Sequence, residues 1–594
     1  MRFTMQLLKR TEWCGQIGTA HCGKQVIISG WVQKRRNLGG LVFLDVRDRT
    51  GVVQVVFDPS VNNELTQAAQ DVRSEYVIAI QGVGAQREAS AVNKAMATGH
   101  VEIQAAQLVV FSKSAVMPFP LEDDAVSEEL RLTYRYLDLR RKKMFDFLQL
   151  RHDVIHSMRQ YFNEHGFLEV ETPILSKSTP EGARDFLVPC RLQPELFYAL
   201  PQSPQIYKQL LMVGGIERYF QIARCFRDEA LRSNRQPEFT QLDIEMSFVD
   251  EIDIQTMCEG LFARLWKQFL GKELSLPLAR FSYQDVFSRY GSDKPDTRFG
   301  LEIADITSLF HDGSVGFLTS IVNDGGHIGA FCVKDKRFSR SELDALSSFA
   351  LKELGAKGLL WVRKRDDGSY DSAIAKNITA DFWQHAREKF QDLTDADTLF
   401  IVAGRYEQAW TILGQLRLHI GKKLDLIDQS KQEMFWVTDF PMFEWNEDEK
   451  RWEAKHHPFT SPEQGWELKE LGDVKARAYD LVCNGEELGG GSIRIHDAAV
   501  QEKVFAALGI SAEKAREKFG FLLEAQGFGY PPDGGIAFGI DRMIMMLGGT
   551  DSIRDVIAFP KTTTGSCLMM QTPASVEQNQ LDDLHLVLSS SKKS

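Results

Sequence analysis

Along the first 112 residues, apolar and polar positions alternate in short runs rich in β-branched side chains. The runs are Gln25–Val32, Leu41–Val46, Val52–Phe57, Tyr76–Val83, His100–Ile103 and Leu108–Phe111. Turn signals separate them, notably Asn37-Leu38-Gly39-Gly40 and Thr50-Gly51. About five strands in this length suit a small closed barrel, with the oligonucleotide-binding (OB) fold leading and any other small barrel as the alternative. Met117-Pro118-Phe119-Pro120 and the acidic run Glu122-Asp123-Asp124 break the pattern and read as a linker, because proline removes donors and fixes φ. From Phe147 the period becomes helical, with Phe147, Leu150, Val154, Met158 and Phe162 on one face and Gly166 as the stop. A strand, Phe167–Glu171, then runs into Thr172-Pro173. Residues 290–425 show α/β alternation and read as an insertion. Beyond them Met434–Asp439 is strand-like, and more strands and a glycine-rich stretch follow. The chain thus divides into 1–112, a linker 113–139, 140–289, 290–425 and 426–594.

Composition narrows the classes. Hydrophobic residues make up 43% and charged residues 26% of 594, which excludes a disordered or fibrous chain. Seventy Lys+Arg against 82 Asp+Glu give a net charge of −12, so any nucleic acid must be met by local basic patches. No apolar run approaches a membrane span, and Met1–Arg10 lacks the pattern of a secretion signal. Eight cysteines without a C-x-x-C pair suggest reduced thiols in a cytoplasm, with neither a disulfide frame nor a zinc site.

The usual phosphate loops are missing. Gly82-Val83-Gly84 begins like a dinucleotide fingerprint, but Arg87 stands at the third glycine. His327-Ile328-Gly329-Ala330 resembles the HIGH signature of class I synthetases without its second histidine. What remains is Phe226-Arg227-Asp228-Glu229, followed by Arg235-Gln236-Pro237-Glu238-Phe239, and far downstream Gly534-Gly535-Ile536-Ala537-Phe538-Gly539-Ile540-Asp541-Arg542. The flanks Arg218–Cys225 and Thr240–Phe248 read as two antiparallel strands joined by a charged loop. An arginine fork suits phosphate, and Phe239 beside it can stack on a base. The plainer alternative is that Arg227 and Arg542 pair with surface acids.

With the helix and strand ending at Pro173 as motif 1, Phe226–Phe239 as motif 2 and Gly534–Arg542 as motif 3, the chain resembles the class II aminoacyl-tRNA synthetases. The likeness is closest to their bacterial-type aspartate branch, through Arg135–Arg141, Thr179–Asp185, Ala199–Gln205, His456–Thr460, Gly489–Ser492 and Ile557–Lys561. It covers essentially the whole chain. It implies an α+β multidomain fold: an N-terminal OB-fold anticodon-binding barrel, an antiparallel-sheet catalytic domain split around an α/β insertion (GAD-type), and a homodimer joined through motif 1.

The resemblance also implies a reaction. Aspartate is activated by ATP to an adenylate, and the aspartyl group passes to the terminal adenosine of tRNA(Asp). This is work of positioning and charge neutralisation. Arg227 would hold the aspartate carboxylate and α-phosphate, and Arg542 the γ-phosphate. Asp228, Glu229, Gln236, Phe239, Glu487, Gly539, Ile540 and Asp541 would complete the ATP site, with Asp480 and Glu487 on Mg²⁺. Lys208 and Arg494 would meet the side-chain carboxylate, with His456 as neighbour, and Glu181, Ser203 and Gln205 would meet the ammonium. Strand alternation allows only one of His456 and His457 to face the substrate, and the choice is His456. In the barrel, Arg36, Phe43, Gln54 and Glu102 match positions that read the anticodon. Leu38 stands where enzymes that also charge tRNA(Asn) typically carry histidine, and so favours tRNA(Asp) alone, with tRNA(Asn) as the alternative substrate. The chain departs from the family pattern at Ala230, Ser233-Asn234 and Cys190, and at Asp533, where histidine is typical. Asp533 brings a negative charge toward a site that handles anions. Rival readings are a non-catalytic tRNA-binding paralogue, against which the retained site residues argue, and a ligase for asparagine or lysine, which would not need the Lys208/Arg494 pair.

Overall fold

The computed structural model describes residues 9–178, 183–230, 234–310, 315–365, 367–378, 382–391, 393–447 and 449–589. The chain forms two compact units, Met1–Phe145 and Asp146–Ser594.

In the first unit, β1 (Gln25–Leu38), β2 (Leu41–Asp48), β3 (Gly51–Phe57), β4 (Val77–Gln86) and β5 (Val101–Ser112) close into a barrel ordered β1-β2-β3-β5-β4. The helix α1 (Asn63–Gln70) lies between β3 and β4 in sequence. Alternate residues point inward, so Val26, Ile28, Val42, Leu44, Val46, Val53, Val55, Ile78, Ile80 and Ile103 form one core. Gly39 and Gly40 both have positive φ, 60° and 87°, which lets a two-residue turn join β1 to β2. The runs expected at 100–103 and 108–111 are one strand. Gln104, Ala105 and Gln107 between them pair with β4, and Ala106 is passed over where the register shifts between Gln81 and Gly82. A Cβ on Gly82 would lie 2.3 Å from the Gln104 carbonyl oxygen, so close backbone approach is the reason for that glycine.

The second unit is built on an eight-stranded sheet. Its strands are β6 (Leu168–Glu169), β7 (Arg218–Phe226), β8 (Glu238–Ser247), β9 (Ala279–Ser282), β15 (Met434–Thr438), β16 (Ala478–Cys483), β17 (Glu486–Ile493) and β18 (Asp533–Gly539). Their order is β9-β15-β16-β17-β18-β8-β7-β6. The six central strands pair antiparallel, and β9 and β6 add parallel edges. The helix α2 (Lys142–Glu164) buries Phe147, Val154, Met158 and Phe162 and half-buries Leu150, which is the apolar face read from its period. Gly166 follows with φ 74°. The expected strand Phe167–Glu171 is reduced to Leu168–Glu169, since it pairs on one side only, at the sheet edge. The helices α3 (Gln205–Val213), α4 (Glu251–Leu270) and α6 (Ile540–Gly548) pack around the sheet.

Between β9 and β15 the chain makes a second sheet from β10 (Ile303–Asp305), β11 (His327–Val333), β12 (Leu360–Lys364), β13 (Tyr370–Asp371) and β14 (Thr398–Gly404), ordered β10-β11-β14-β12-β13. Both faces are covered. Phe331, Phe400 and Val402 join α5 (Tyr406–Lys423) through Trp410 and Leu413, while Ile328, Ala330, Leu399 and Ile401 meet Phe382 and Trp383. His327 pairs with Asp305 at 3.0 Å, which gives that histidine a structural role. All eight cysteines are free thiols. Among the described residues no helix is long and apolar enough to cross a membrane.

Candidate active site

Two adjoining cavities open on the eight-stranded sheet. One, of about 370 Å³, is lined by Ser203, Gln205, Lys208, His456, Asp480 and Arg494, among others. The other, of about 200 Å³, is lined by Glu229, Gln236, Phe239, Lys294, Gly539 and Arg542, among others. Arg227, Gln241, Glu487 and Ala537 line both, so Arg227 stands where the chambers meet.

The hairpin of β7 and β8 sets the second chamber. Phe226 pairs with Glu238, which leaves Arg227 at the end of β7 and Phe239 one step into β8. The Arg227 guanidinium carbon is 5.1 Å from the Phe239 ring centre, and Arg227 Nε has no hydrogen-bond partner among the described residues. On the other side of β8, Gln241 pairs with Gly539, and α6 starts at the next residue. Arg542 thus sits in the first turn of α6. Its Nη1 donates to the Glu487 carbonyl oxygen, and its Nε, 3.9 Å from the Glu486 carboxylate, lacks a hydrogen-bond partner among the described residues. Two guanidinium groups with N–H donors to spare line one chamber beside an aromatic ring, an arrangement suited to a phosphorylated base.

Not every residue expected at this end is there. Asp228 is exposed, its N–H donates to the Arg184 carbonyl, and it lines neither chamber. Ile540 is fully buried apolar core. Asp541 lines the chamber, but its carboxylate is engaged elsewhere. Oδ2 accepts from the Thr240 N–H at 2.8 Å, and Oδ1 accepts from Arg151 of α2. Arg151 also donates to Thr240 Oγ1 at 2.9 Å. Asp541 therefore clamps the three motifs together. Gln236 likewise uses both ends of its amide on the backbone of Lys561, at 3.0 and 2.7 Å.

The first chamber is more heavily charged than the sequence suggests. Lys208, 1% exposed, lies 3.3 Å from Asp243 and 3.2 Å from Glu245. Arg494 grips Glu245 through two hydrogen bonds, at 2.7 and 3.1 Å, and touches Ser492 and His457. The two cations expected to await a carboxylate are thus already paired with buried acids that the motif reading missed. The signal was present: Leu242-Asp243-Ile244-Glu245-Met246 places two acids in an apolar strand. Burial alone would raise the Glu245 carboxyl, but Arg494 and Lys208 outweigh it and hold it below the usual range. Asp243 lines the chamber and is raised by its burial, and its buried Oδ2 has no hydrogen-bond partner among the described residues.

His456 and His457 both line this chamber, which corrects the expectation that only one could. Residues 455–457 bend after the strand Arg451–Ala454 ends, so strand alternation does not apply. Burial pushes the His456 imidazole down to about 4, and His457 is pushed down by burial and by Arg494. Both are neutral near pH 7. Asp533 does not bring the expected negative charge into the site. It is 0% exposed, lines neither chamber, accepts from the Tyr530 hydroxyl at 3.0 Å, and its carboxyl is pushed well above the usual range by its burial and by Glu245. Glu181 lies outside the described residues.

Asp480 and Glu487 come together across the glycines of β17. A Cβ on Gly490 would lie 2.6 Å from Asp480 Oδ1 and 3.7 Å from Glu487 Oε1. Burial and Glu487 push the Asp480 carboxyl well above its usual range. Two hard-oxygen donors in a space kept clear by a glycine fit a divalent cation that completes its shell with other oxygens. Among the described residues no cluster of three metal-binding side chains adds to them.

On the barrel, Arg36 Nη2 donates to Asp45 at 2.6 Å and to Gln54 at 3.0 Å, and Gln54 donates to Glu102 at 2.8 Å. Arg36 is also 5.9 Å from the Phe43 ring, so the four expected anticodon residues form one connected patch. Leu38 is 61% exposed at the β1–β2 turn.

The family model described as "tRNA synthetases class II (D, K and N)" matches residues 127–563, and that for the "OB-fold nucleic acid binding domain" matches residues 26–110. The chain belongs to the class II tRNA synthetases. These synthetases are ligases that use ATP and bind tRNA. The chain is 51% identical over 584 residues to the aspartate–tRNA ligase of Bacillus licheniformis, covering 97% of this chain and 98% of that one. It is 50% identical over 592 residues to the aspartate–tRNA(Asp/Asn) ligase of a Geobacillus strain, covering 98% and 99%. It is 48% identical over 594 residues to the aspartate–tRNA(Asp/Asn) ligase of Aquifex aeolicus, covering 97% and 98%. Among solved structures, the synthetase fold is shared with asparaginyl-tRNA synthetase from Pyrococcus horikoshii complexed with asparaginyl-adenylate, with TM-score 0.58, 19% identity and coverage of 93% and 98%. It is also shared with an aspartyl-tRNA synthetase from Entamoeba histolytica, with TM-score 0.57, 18% identity and coverage of 93% and 91%.

Proposed function

We propose that this synthetase is an aspartate–tRNA ligase, and one observation carries the reading. Lys208 and Arg494 are buried at the wall of a chamber that joins, at Arg227, a second chamber lined by Phe239 and Arg542. Aspartate enters with its side-chain carboxylate toward Lys208 and Arg494. Its ammonium meets Asp243, with Ser203 and Gln205 as further polar neighbours. Its α-carboxylate then reaches Arg227, which also contacts the α-phosphate of ATP. The adenine stacks on Phe239, and Arg542 takes the γ-phosphate. The α-carboxylate oxygen attacks the α-phosphorus, pyrophosphate leaves, and the terminal adenosine hydroxyl of tRNA later takes the aspartyl group. Charge is neutralised by fixed guanidinium groups, and no side chain acts as nucleophile. Asp480 and Glu487 would hold Mg²⁺, which when bound screens the phosphate charge.

The barrel patch around Arg36, Phe43, Gln54 and Glu102 reads the anticodon of tRNA(Asp). A second reading, that tRNA(Asn) is charged too, is favoured by the Asp/Asn names of the Geobacillus and Aquifex relatives. A homodimer agrees with the exposed apolar Leu168 of motif 1 and with Ile174 and Leu175 just beyond Pro173. The deciding experiment is ATP–pyrophosphate exchange with each of the twenty amino acids. Aspartate should support it and asparagine should not. Comparable exchange with asparagine would overturn the assignment of the chamber.

A further inference from the structure

Lys294 is a cation that no motif singled out. It lies on the segment that follows the helix Tyr283–Tyr290 and leads to β10, and it lines the second chamber with Arg227, Arg235 and Arg542. Its Nζ is 3.5 Å from Glu487 Oε2. Glu487 is one of the two carboxylates suited to a divalent cation, and Lys294 is its counter-charge. Once Glu487 is neutralised by such a cation, the Lys294 ammonium is left with three donors facing the space between Arg227 and Arg542.

The backbone that carries Lys294 is firmly held. Arg298 binds the Asp296 carboxylate at 2.7 and 3.0 Å, and a Cβ on Gly485 would lie 3.0 Å from Asp296 Cβ, so the segment packs against the β16–β17 turn. Arg417, on α5 of the insertion and 2% exposed, donates to the carbonyls of Asp296, Phe299 and Gly300 at 2.8, 3.0 and 2.9 Å. The Tyr290 and Phe299 rings lie 4.8 and 4.1 Å from its guanidinium. A side chain on so fixed a base is poised for a ligand that arrives at one defined place.

We propose that Lys294, positioned by its ion pair with Glu487, is a ligand of the nucleotide's phosphates. The proposal rests on the reading of the second chamber as the ATP site. It also gives the insertion a part in that site, since Arg417 anchors the segment that presents Lys294.

The test is equilibrium binding of ATP with Mg²⁺ and without aspartate, alongside KM values from pyrophosphate exchange, for Lys294→Met, Lys294→Arg and Arg542→Ala. Lys294→Met should weaken ATP binding tenfold or more and leave the KM for aspartate within twofold. Lys294→Arg should recover affinity to within threefold of the unsubstituted enzyme. If Arg542→Ala loses ATP while Lys294→Met stays within twofold, the role of Lys294 is refuted and the ATP site stands. If Arg542→Ala keeps its affinity, the chamber itself is misassigned and the proposal falls with it.

Discussion

Arg227 lines both chambers and keeps a guanidinium N–H without a hydrogen-bond partner among the described residues, so its charge is available to whatever joins the two ligands. Arg227→Ala should cost about 2.7–4 kcal/mol in the transition state, or roughly a hundred- to thousand-fold in adenylate formation. Pyrophosphate exchange reads this directly, and a drop below tenfold in a folded variant would count against the assignment. Lys208 is a different case, because Asp243 and Glu245 already pair with it in the core. Lys208→Met should abolish aspartate activation, and it should also cost about 3–5 kcal/mol of stability by stranding buried acid. Exchange assays and denaturant unfolding should therefore both respond. In the intact protein, losing two charge-assisted hydrogen bonds sets discrimination against asparagine at about 3–6 kcal/mol. His456 gives a pH dependence. Its folded value of about 4 lies below the unfolded value near 6.5, so the unfolded chain binds the extra proton between them. The contribution is intact above pH 6.5 and is lost as pH falls toward 4, by about 1–2 kcal/mol at pH 5. His456→Gln should flatten that part of the stability–pH curve, and an unchanged slope would show that His456 is not buried neutral.

At the scale of elements, the three motifs are joined by one acid. Asp541 at the head of α6 accepts from Thr240 of β8 and from Arg151 of α2, which fixes the residues on either side of that joint, Phe239 and Arg542. The family resemblance placed Asp541 among the nucleotide ligands, but its carboxylate is engaged by Thr240 and Arg151. The helical face of α2 and the β7–β8 hairpin were legible because their periods are local. The His456-His457 pair was not, because a bend removes the alternation on which the reading relied. In the insertion, the structural weight falls on Arg417 of α5. Arg417→Met would leave the buried carbonyls of Asp296, Phe299 and Gly300 without their donor, at about 1–3 kcal/mol for each group left unsatisfied. We expect stability lowered by about 3 kcal/mol or more in denaturant titrations, and no change would mean that the carbonyls find other partners.

For the whole molecule, choice of tRNA depends on a barrel whose fold was evident from its alternating runs. Leu38, exposed beside Gly39 and Gly40, offers no hydrogen bond to an alternative third anticodon base. A mismatch there is worth about 1–3 kcal/mol, so tRNA(Asp) should be charged roughly ten- to a hundred-fold better than tRNA(Asn). Aminoacylation of the two purified tRNAs side by side measures this ratio, and near-equal charging would place the protein with its Asp/Asn relatives. What the sequence by itself determined was the set of elements and the motif residues, because apolar period and short spacing act over a few residues. What only the tertiary structure decided was the pairing of charges. Lys208 meets Asp243 across 35 residues, Lys294 meets Glu487 across 193, and Arg494 meets Glu245 across 249. The two buried pairs follow from the strand order β16-β17-β18-β8, in which segments remote in the chain become neighbours and buried charges must find one another.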